Sequence, residues 1–522
     1  ENPRKEQELI INHCLEAFKD KRFVIVEAGT GVGKSAIGIT IARHMNKLHG
    51  WASHFVTTQK ILQDQYVRDF TSIGINSIKS SSNYTCTYKK SQSCSDSQRE
   101  IRAEPKGTKF WKNCVMNCPY KKDKEKFVDG KYGVTNFPYL ITESNLSGGV
   151  KPKDLLVIDE AHNVESELSK FIEISVSARF AKQFFKSNFE FPKSKAKTFK
   201  WISETYLPLI RSRLKMMERR IEEFKITEKA LNEFTKITNQ MDLIRSHISK
   251  LNHFVEKYDP ETWLYEFESS SRDGKGDRFY FKPIDVSSYA ESLLFRLGTK
   301  VLLMSATILN HDAFRESLGI SKEDSSCIRV SSPFPTENRP IIYAPVGYMS
   351  KKYIDKTLPN LIEAIKSILQ EHKGEKGIIH THSYYIANRI KNSIRSKRLL
   401  THDSNTRDTI LDKHTKSTSP TVLISPSMTE GVDLKGEISR FQIICKVPYP
   451  FLGDKLVRKR MNRWDWWYPL QTAKTIVQSA GRSVRSKDDH AVTYILDTNW
   501  SGFYAKNKEF FPDDFRKCLI RA

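Results

Sequence analysis

The chain has 522 residues, enough for roughly three or four domains with ample core, so neither disulfides nor metals are needed merely to keep it folded. Lys and Arg number 85 against 61 Asp and Glu, and the net charge of +24 points to a polyanion, nucleic acid ahead of an anionic membrane surface. No apolar run of about 18 residues, signal peptide or lipidation motif stands out, which argues against a spanning or anchored membrane protein and leads to the expectation of a soluble, intracellular one.

The chain begins at Glu1 rather than Met, which leaves room for a segment upstream. Phe23–Val26 reads as a strand, followed by a glycine-rich turn and a helix with apolar Ile37, Ile41 and Met45. Residues 80–132 are polar, poor in aliphatic side chains and rich in Lys, Ser and Cys. Leu155–Ile158 ends in Asp159-Glu160, and Val301–Met304 ends in Ser305-Ala306-Thr307; unbroken apolar runs of this kind mark buried parallel strands. Between them, Ile210, Leu214, Met217, Ile221 and Phe224, then Phe234 through Val255, are spaced by threes and fours, which predicts two long amphipathic helices packed on each other. Alternation at Trp263, Tyr265 and Phe267, the turn-rich Ser269–Gly276, and Phe279 with Phe281 predict a hairpin closing that excursion. After about residue 335 the pattern restarts, with strands at Gly377–Ile379, Thr421–Ile424, Phe441–Ile444 and Val492–Leu496 separated by helical stretches. The fold class is α/β, two such domains in series.

AGTGVGKS (Ala28–Ser35) lies between strand and helix, where a loop wraps backbone N–H groups around phosphates. Gly29, Gly31 and Gly33, with Thr30 and Val32 between them, permit close approach; Lys34 reaches the β and γ phosphates, and Ser35 ligates Mg²⁺. Ala28 stands where the strict pattern has Gly. In VIDEAHN (Val157–Asn163), Asp159 suits Mg²⁺ held through water, and Glu160 suits polarising the attacking water. His162 is either an ordinary loop histidine or a sensor of the γ-phosphate. QSAGRSVR, from Gln478, places Arg482 and Arg485 on one helical face, either as arginine fingers or as DNA-phosphate ligands in a solvated basic face. ATP in a cleft closed by arginines from the second domain would couple hydrolysis to domain motion.

The order AGTGVGKS, VIDEAHN, SAT, EGVDLKG (Glu430–Gly436) and QSAGRSVR resembles the XPD/DinG family of iron–sulfur DNA helicases in superfamily 2, over nearly the whole chain. PRKEQ resembles the family's Arg-x-x-Gln element, with Arg4 and Gln7 on the adenine side; VTTQKILQDQ resembles the next motif, and SSPFP (Ser331–Pro335) a family hallmark. The resemblance implies two RecA-like motor domains in series, the first carrying a Cys-rich metal-cluster insertion and a helical arch insertion. The first motor domain would comprise residues 1–80, 133–165 and 286–325, the Cys-rich iron–sulfur insertion 81–132, the arch 166–285 and the second motor domain 326–522. It further implies an ATP-hydrolysing, Mg²⁺-dependent motor that moves 5′ to 3′ on single-stranded DNA and unwinds forked duplex. Such a motor would be a monomer without a membrane partner, cytoplasmic and nucleoid-associated in a prokaryote or phage and nuclear in a eukaryote, with DNA repair among its settings. Ser305, Ala306 and Thr307 would couple hydrolysis to movement, while Glu430, Gly431 and Asp433 would link the second domain to nucleotide and DNA. Thr57, Thr58, Gln59, Thr381, His382 and Ser383 would touch the DNA backbone, or are ordinary strand-end polar residues. The alternatives are an RNA or RNA·DNA-directed DEAH motor and a nucleotide-gated nucleic-acid-binding protein that does not unwind.

Half of the eight cysteines, Cys86, Cys94, Cys114 and Cys118, fall in the Cys-rich insertion, with a spacing that matches no fixed family pattern. Four thiolates hold a [4Fe–4S] cluster or a tetrahedral Zn²⁺, free thiols being the third reading, and the family position favours iron–sulfur. Cys14, Cys327, Cys445 and Cys518 read as structural. Phe110, Trp111 and Tyr120 among lysines offer either a base-stacking wedge or a plain basic loop, and RWDWWYP (Arg463–Pro469) either stacks bases or packs onto the second domain.

Overall fold

The computed structural model describes residues 3–58, 60–184, 190–222, 231–269, 276–403, 405–426, 436–481, 483–484, 486 and 488–521, the side chains of 103, 231, 232 and 521 excepted. The first strands along the chain are β1 (Phe23–Ala28), β2 (Ser53–Thr57), β3 (Asn76–Ser77), β4 (Tyr132–Asn136) and β5 (Lys153–Asp159). Then come β6 (Ile174–Ser177), β7 (Trp263–Glu268) and β8 (Arg278–Pro283), followed by β9 (Gly298–Ser305) and β10 (Ser325–Val330). The second half carries β11 (Ile341–Gly347), β12 (Gly377–His380), β13 (Leu399–Thr401), β14 (Val422–Ser425), β15 (Phe441–Ile444), β16 (Val492–Asp497) and β17 (Leu519–Arg521).

Among the described residues these strands form two seven-stranded sheets, in the orders β10-β1-β9-β5-β2-β4-β3 and β13-β14-β12-β15-β16-β11-β17. Neighbouring strands in both run parallel. These are the two α/β domains in series. In the first sheet alternate residues feed opposite faces: Phe23, Ile25, Leu156, Ile158, Val301 and Leu303 enter one core, whereas Val24, Val26, Leu155, Val157, Leu302 and Met304 enter the other. Helices α1 (Lys5–Ala17) and α2 (Lys34–His49) cover the second of these faces through Ile10, Cys14, Ile37, Ile41 and Met45. Both faces being covered, the strands read as continuous apolar runs. Strand β10 pairs with β1, so the first sheet extends to Val330 and not only to the expected residue 325.

Helix α3 (Lys60–Asp69) follows β2. The Cys-rich segment holds α4 (Cys94–Glu100), α5 (Lys109–Met116) and α6 (Pro119–Asp129). Its Cys94, Cys118, Tyr120 and Phe127 belong to the same core as β1 and β9, so the insertion is rooted in the first domain instead of folding apart from it. The predicted long helices are Leu207–Glu222 and Leu231–Glu256, cross-linked by Arg245 and Glu218 at 2.7 Å; Phe224 lies outside the described residues. The predicted hairpin is β7–β8, to which β6, not expected from the sequence pattern, adds a third antiparallel strand. Arg102 of the Cys-rich segment meets Asp242 of the second long helix at 3.0 Å, so the two insertions touch.

RWDWWYP packs in two directions. Trp464 and Trp467 are buried with Leu264 and Ile284 at the base of the arch hairpin, while Trp466 packs against the second domain's core, as one of the two sequence readings expected. The segment is also helical, spanning the end of helix Lys455–Arg463 and the start of Trp467–Ala480.

Candidate nucleotide site

A cleft of about 1010 Å³ opens between the two sheets, lined by Gly29, Thr30, Lys34, Glu160 and His162 from the first and by Gln478 and Gly481 from the second. It lies where strand ends and helix starts converge. Gly33 caps α2 with φ 87°, and Gly31 has φ 89°, backbone that favours glycine. A Cβ on Gly31 would lie 2.0 Å from the Phe334 ring, and one on Gly33 would lie 2.7 Å from the Gln7 amide. The loop is thus pinned from outside, while Thr30 and Lys34, at the positive end of α2, line the cleft.

Arg4 and Gln7 are part of that pinning. The Arg4 guanidinium donates to the Gly31 carbonyl, and Gln7 Nε2 donates to the Val32 carbonyl at 2.9 Å. Ser332 Oγ donates to the Thr30 carbonyl at 2.7 Å, and together with the Phe334 contact this gives SSPFP a physical role as the clamp on the phosphate loop. Gly481, just before Arg482, lies beside Thr30.

At the end of β5, Asp159 is buried and accepts three hydrogen bonds: from Ser35 Oγ at 3.2 Å and Tyr66 OH at 2.9 Å on Oδ2, and from the Glu160 N–H at 3.0 Å on Oδ1. Burial, then the neighbouring Glu160 carboxylate, raise its carboxyl above the usual range, and burial likewise pushes the Tyr66 phenol upward, so it stays a donor. A hydroxyl and a carboxylate side by side below Lys34 are the hard oxygen donors that Mg²⁺ prefers.

Glu160 takes a left-handed backbone, φ 54°, which turns its side chain into the cleft. From it a polar chain crosses to the second domain. His162 Nδ1 is 3.3 Å from Glu160 Oε2 and 2.8 Å from Ser305 Oγ. Gln478 spends both amide hydrogens, on His162 Nε2 at 3.0 Å and on Thr307 Oγ1 at 3.2 Å, while the Thr307 N–H donates to Ser305 Oγ at 3.1 Å. Because Gln478 donates, His162 Nε2 must accept and Nδ1 carries the proton. Five residues from three separated motifs are therefore one network, with Ala306 on the cleft wall.

The other expected residues divide. Arg482, Arg485, Glu430, Gly431, Asp433 and Gln59 lie outside the described residues. Thr58 lines the cleft, whereas Thr57 and Thr381 are wholly buried, the latter donating from Oγ1 to the Ser383 carbonyl at 3.0 Å. Ser383 caps the helix Tyr384–Ser393, and His382 has φ 47° with its imidazole lowered to about 4 by burial and then by Lys446.

All four insertion cysteines are buried. Cys94 and Cys118 sulfurs lie 3.4 Å apart, and burial, followed by Cys118, Cys114 and Cys86, pushes the Cys94 thiol up to about 12. Burial opposes ionisation of Cys86, yet the Ser97 hydroxyl and the Lys89 N–H, 3.3 Å away, hold it below the ordinary thiol value. Among the described residues no three metal-ligating side chains stand in finished ligand geometry. The donor chemistry, four buried cysteines of one segment with two sulfurs already 3.4 Å apart, fits a thiolate-held cluster or Zn²⁺. The wedge expectation changes, because Phe110 and Tyr120 are buried, Phe110 stacked on Tyr88 under Lys89; of the three aromatics, Trp111 alone is partly exposed.

Tyr66 and Glu27 are site residues the motifs did not single out, and Phe334 lay within SSPFP without a role assigned to it. Tyr66 offered no signal beyond its helical position.

The family model of the helicase C-terminal domain matches residues 365–517, and that of the type III restriction enzyme res subunit matches residues 1–191. The ATP-dependent DNA helicase YoaA of Haemophilus influenzae is 21% identical over 95% of this chain and 91% of its own length. The ATP-dependent DNA helicase DinG of Photobacterium profundum is 25% identical over 46% of this chain, an alignment that spans 38% of that relative. A solved XPD helicase superposes over 100% of both chains with a TM-score of 0.64 at 16% identity, and an S. tokodaii XPD with 0.58 at 15%, a likeness of fold. Two helicase-type family models matching opposite ends of the chain, together with these relatives, make it similar to superfamily 2 helicases of the XPD/DinG type.

Proposed function

We propose that the protein is an ATP-dependent DNA helicase that translocates 5′ to 3′ along single-stranded DNA and unwinds duplex at a fork. The observation that carries this reading is the chain Glu160–His162–Gln478–Thr307, which joins the hydrolytic end of the cleft to both motor domains. In this reading Lys34 and the loop N–H groups hold the phosphates, and Glu160 takes the proton of the attacking water. Ser35 and, through water, Asp159 would hold Mg²⁺, which would supply neutralisation of the phosphate charge. Arg482 and Arg485, following the helix that carries Gln478, stabilise the γ-phosphoryl group as it transfers, and Gly431 and Asp433 meet the nucleotide. Loss of the γ-phosphate would be felt at His162, and Gln478 would pass that change to the second domain.

Cys86, Cys94, Cys114 and Cys118 would hold a [4Fe–4S] cluster, with zinc as the alternative. The group would tie α4, α5 and α6 together at the fork and take no part in hydrolysis. The parts keep the boundaries expected from sequence, apart from the extension of the first sheet to Val330. The motor works as a monomer in the compartment that holds its DNA.

The test is strand displacement on duplexes with 5′ or 3′ tails, beside ATPase stimulated by single-stranded DNA or RNA, with iron and zinc measured on the purified protein. Displacement from a 5′ tail is expected. Glu160→Gln should bind ATP and DNA yet lose about 10²- to 10⁴-fold in turnover, the usual contribution of a general base. Normal turnover in that variant removes Glu160 from the mechanism, and stimulation by RNA alone replaces the DNA reading.

A further inference from the structure

Helix α3 places one polar atom deep in the first motor domain. Tyr66 is 2% exposed and packs in the apolar core on one face of the first sheet, against Phe55 and Phe70 with ring centroids 5.7 and 5.8 Å away. Packing alone would be served as well by phenylalanine. Its hydroxyl nevertheless reaches Asp159 Oδ2 at 2.9 Å, on the same oxygen that accepts from Ser35 at 3.2 Å.

Those two donors differ in their freedom to leave. Ser35 begins the phosphate-binding helix, and its hydroxyl is the group that would turn to the metal. Tyr66 is fixed by its ring and has no such alternative. Once Ser35 turns away, Oδ2 keeps Tyr66 and Oδ1 keeps the Glu160 N–H, so the carboxylate plane stays set. Partners behind a ligating carboxylate commonly matter about 10- to 100-fold in metal affinity.

We infer that Tyr66 is a positioning residue for Mg²⁺, fixing the Asp159 carboxylate through its phenolic hydroxyl in the orientation that receives the metal-bound water. This rests on the proposed reading of the cleft as an Mg²⁺–nucleotide site. It also gives α3 a second duty: the helix following Thr57 and Thr58 sets the geometry of the site across 93 positions of sequence.

The experiment titrates Mg²⁺ against a fluorescent ATP analogue and follows nucleotide binding, not turnover. In Tyr66→Phe the half-saturating Mg²⁺ concentration should rise about tenfold, while affinity for the analogue in EDTA stays at the wild-type value. Because Tyr66 acts through Asp159, the double variant Tyr66→Phe/Asp159→Asn should behave like Asp159→Asn alone. Coincident Mg²⁺ curves for wild type and Tyr66→Phe overturn the inference, as does a full Tyr66→Phe effect on top of Asp159→Asn. Wild-type protein that binds the analogue with no Mg²⁺ dependence removes the Mg²⁺ part of the cleft reading and Tyr66's role with it, and wild-type protein that does not bind the analogue at all removes the nucleotide-site reading itself, a separate result.

Discussion

Among the described residues, Glu160, Leu309 and His382 are the non-glycine residues with positive φ, and each sits in or next to a motif that faces the cleft or the proposed DNA path. For L-residues such backbone costs about 1–2 kcal/mol and persists where the surroundings over-determine it. At Leu309 the cause is visible. Its N–H donates to Glu27 Oε1 at 2.8 Å, its carbonyl accepts from Arg329 at 2.6 Å, and Arg329 Nε in turn donates to Glu27 Oε2 at 2.7 Å. Burial opposes ionisation of Glu27, but the His311 ring, Arg329 and the Leu309 N–H together hold its carboxyl below the usual 4.5. A carboxylate with a depressed folded value adds stability that is complete above its unfolded value and is lost as pH falls through the folded one. Glu27→Gln should therefore cost about 2 kcal/mol at pH 7, and the gap to wild type should narrow below pH 4.5. Denaturant melts at pH 7 and pH 4 read this directly, and a gap that stays constant would assign the loss to shape instead of charge. None of this was legible in sequence, since Glu27 and Leu309 are 282 positions apart. Lys34, Asp159 and Glu160 were legible because phosphate chemistry demands those residue types at strand ends and helix starts, whereas Gln478, near the end of helix Trp467–Ala480, was legible only through its motif.

Helix Lys455–Arg463 follows β15 of the second sheet, yet its buried Arg460 makes its bonds to residues that precede that sheet. The guanidinium donates to the carbonyls of Ile284 at 3.0 Å and Pro283 at 3.2 Å and to Ser169 Oγ at 2.9 Å, and it pairs with Glu165 at 2.9 Å. Removing one partner of a buried pair commonly costs about 3–5 kcal/mol, so Arg460→Ala should melt clearly lower than wild type. Arg460→Lys should not rescue it, because an ammonium cannot reproduce the fork. If the helix carries motion from the second motor domain to the arch, both variants should also displace fewer strands per ATP hydrolysed. Unchanged melting would mean that the contact is loose in solution. At this scale the sequence revealed β1, β5, β9, β12, β14, β15 and β16, whose apolar runs are continuous. It hid β2 and β4, where Ser53, His54, Thr57, Thr135 and Asn136 are buried polar residues. His54 spends a ring nitrogen on the Lys151 carbonyl at 2.9 Å, and Thr135 donates to the Ile78 carbonyl at 2.8 Å, so polarity there signals internal bonding and not exposure.

In the molecule as a whole, the Cys-rich segment and the arch meet through Arg102 and Asp242, so the two insertions of the first motor domain touch. If a strand passes between them, single-stranded DNA blocked at both ends should dissociate several-fold more slowly than the same strand with free ends. Equal off-rates would place the strand outside the junction. The two halves of the molecule are joined in another way as well. Leu309 and Ala313, chemically part of the first half, lie in the apolar core formed by Ile341, Ile444, Val447, Leu470 and Ile495 of the second. Withdrawing a leucine side chain from such a core costs about 1.5–3 kcal/mol. Leu309 is held on its other side as well, its N–H by Glu27 and its carbonyl by Arg329 of the first sheet. A swing of the second sheet would have to part this apolar contact or break those bonds, so the segment just past Thr307 is a strap between the halves, beside the hydroxyls bonded to His162 and Gln478.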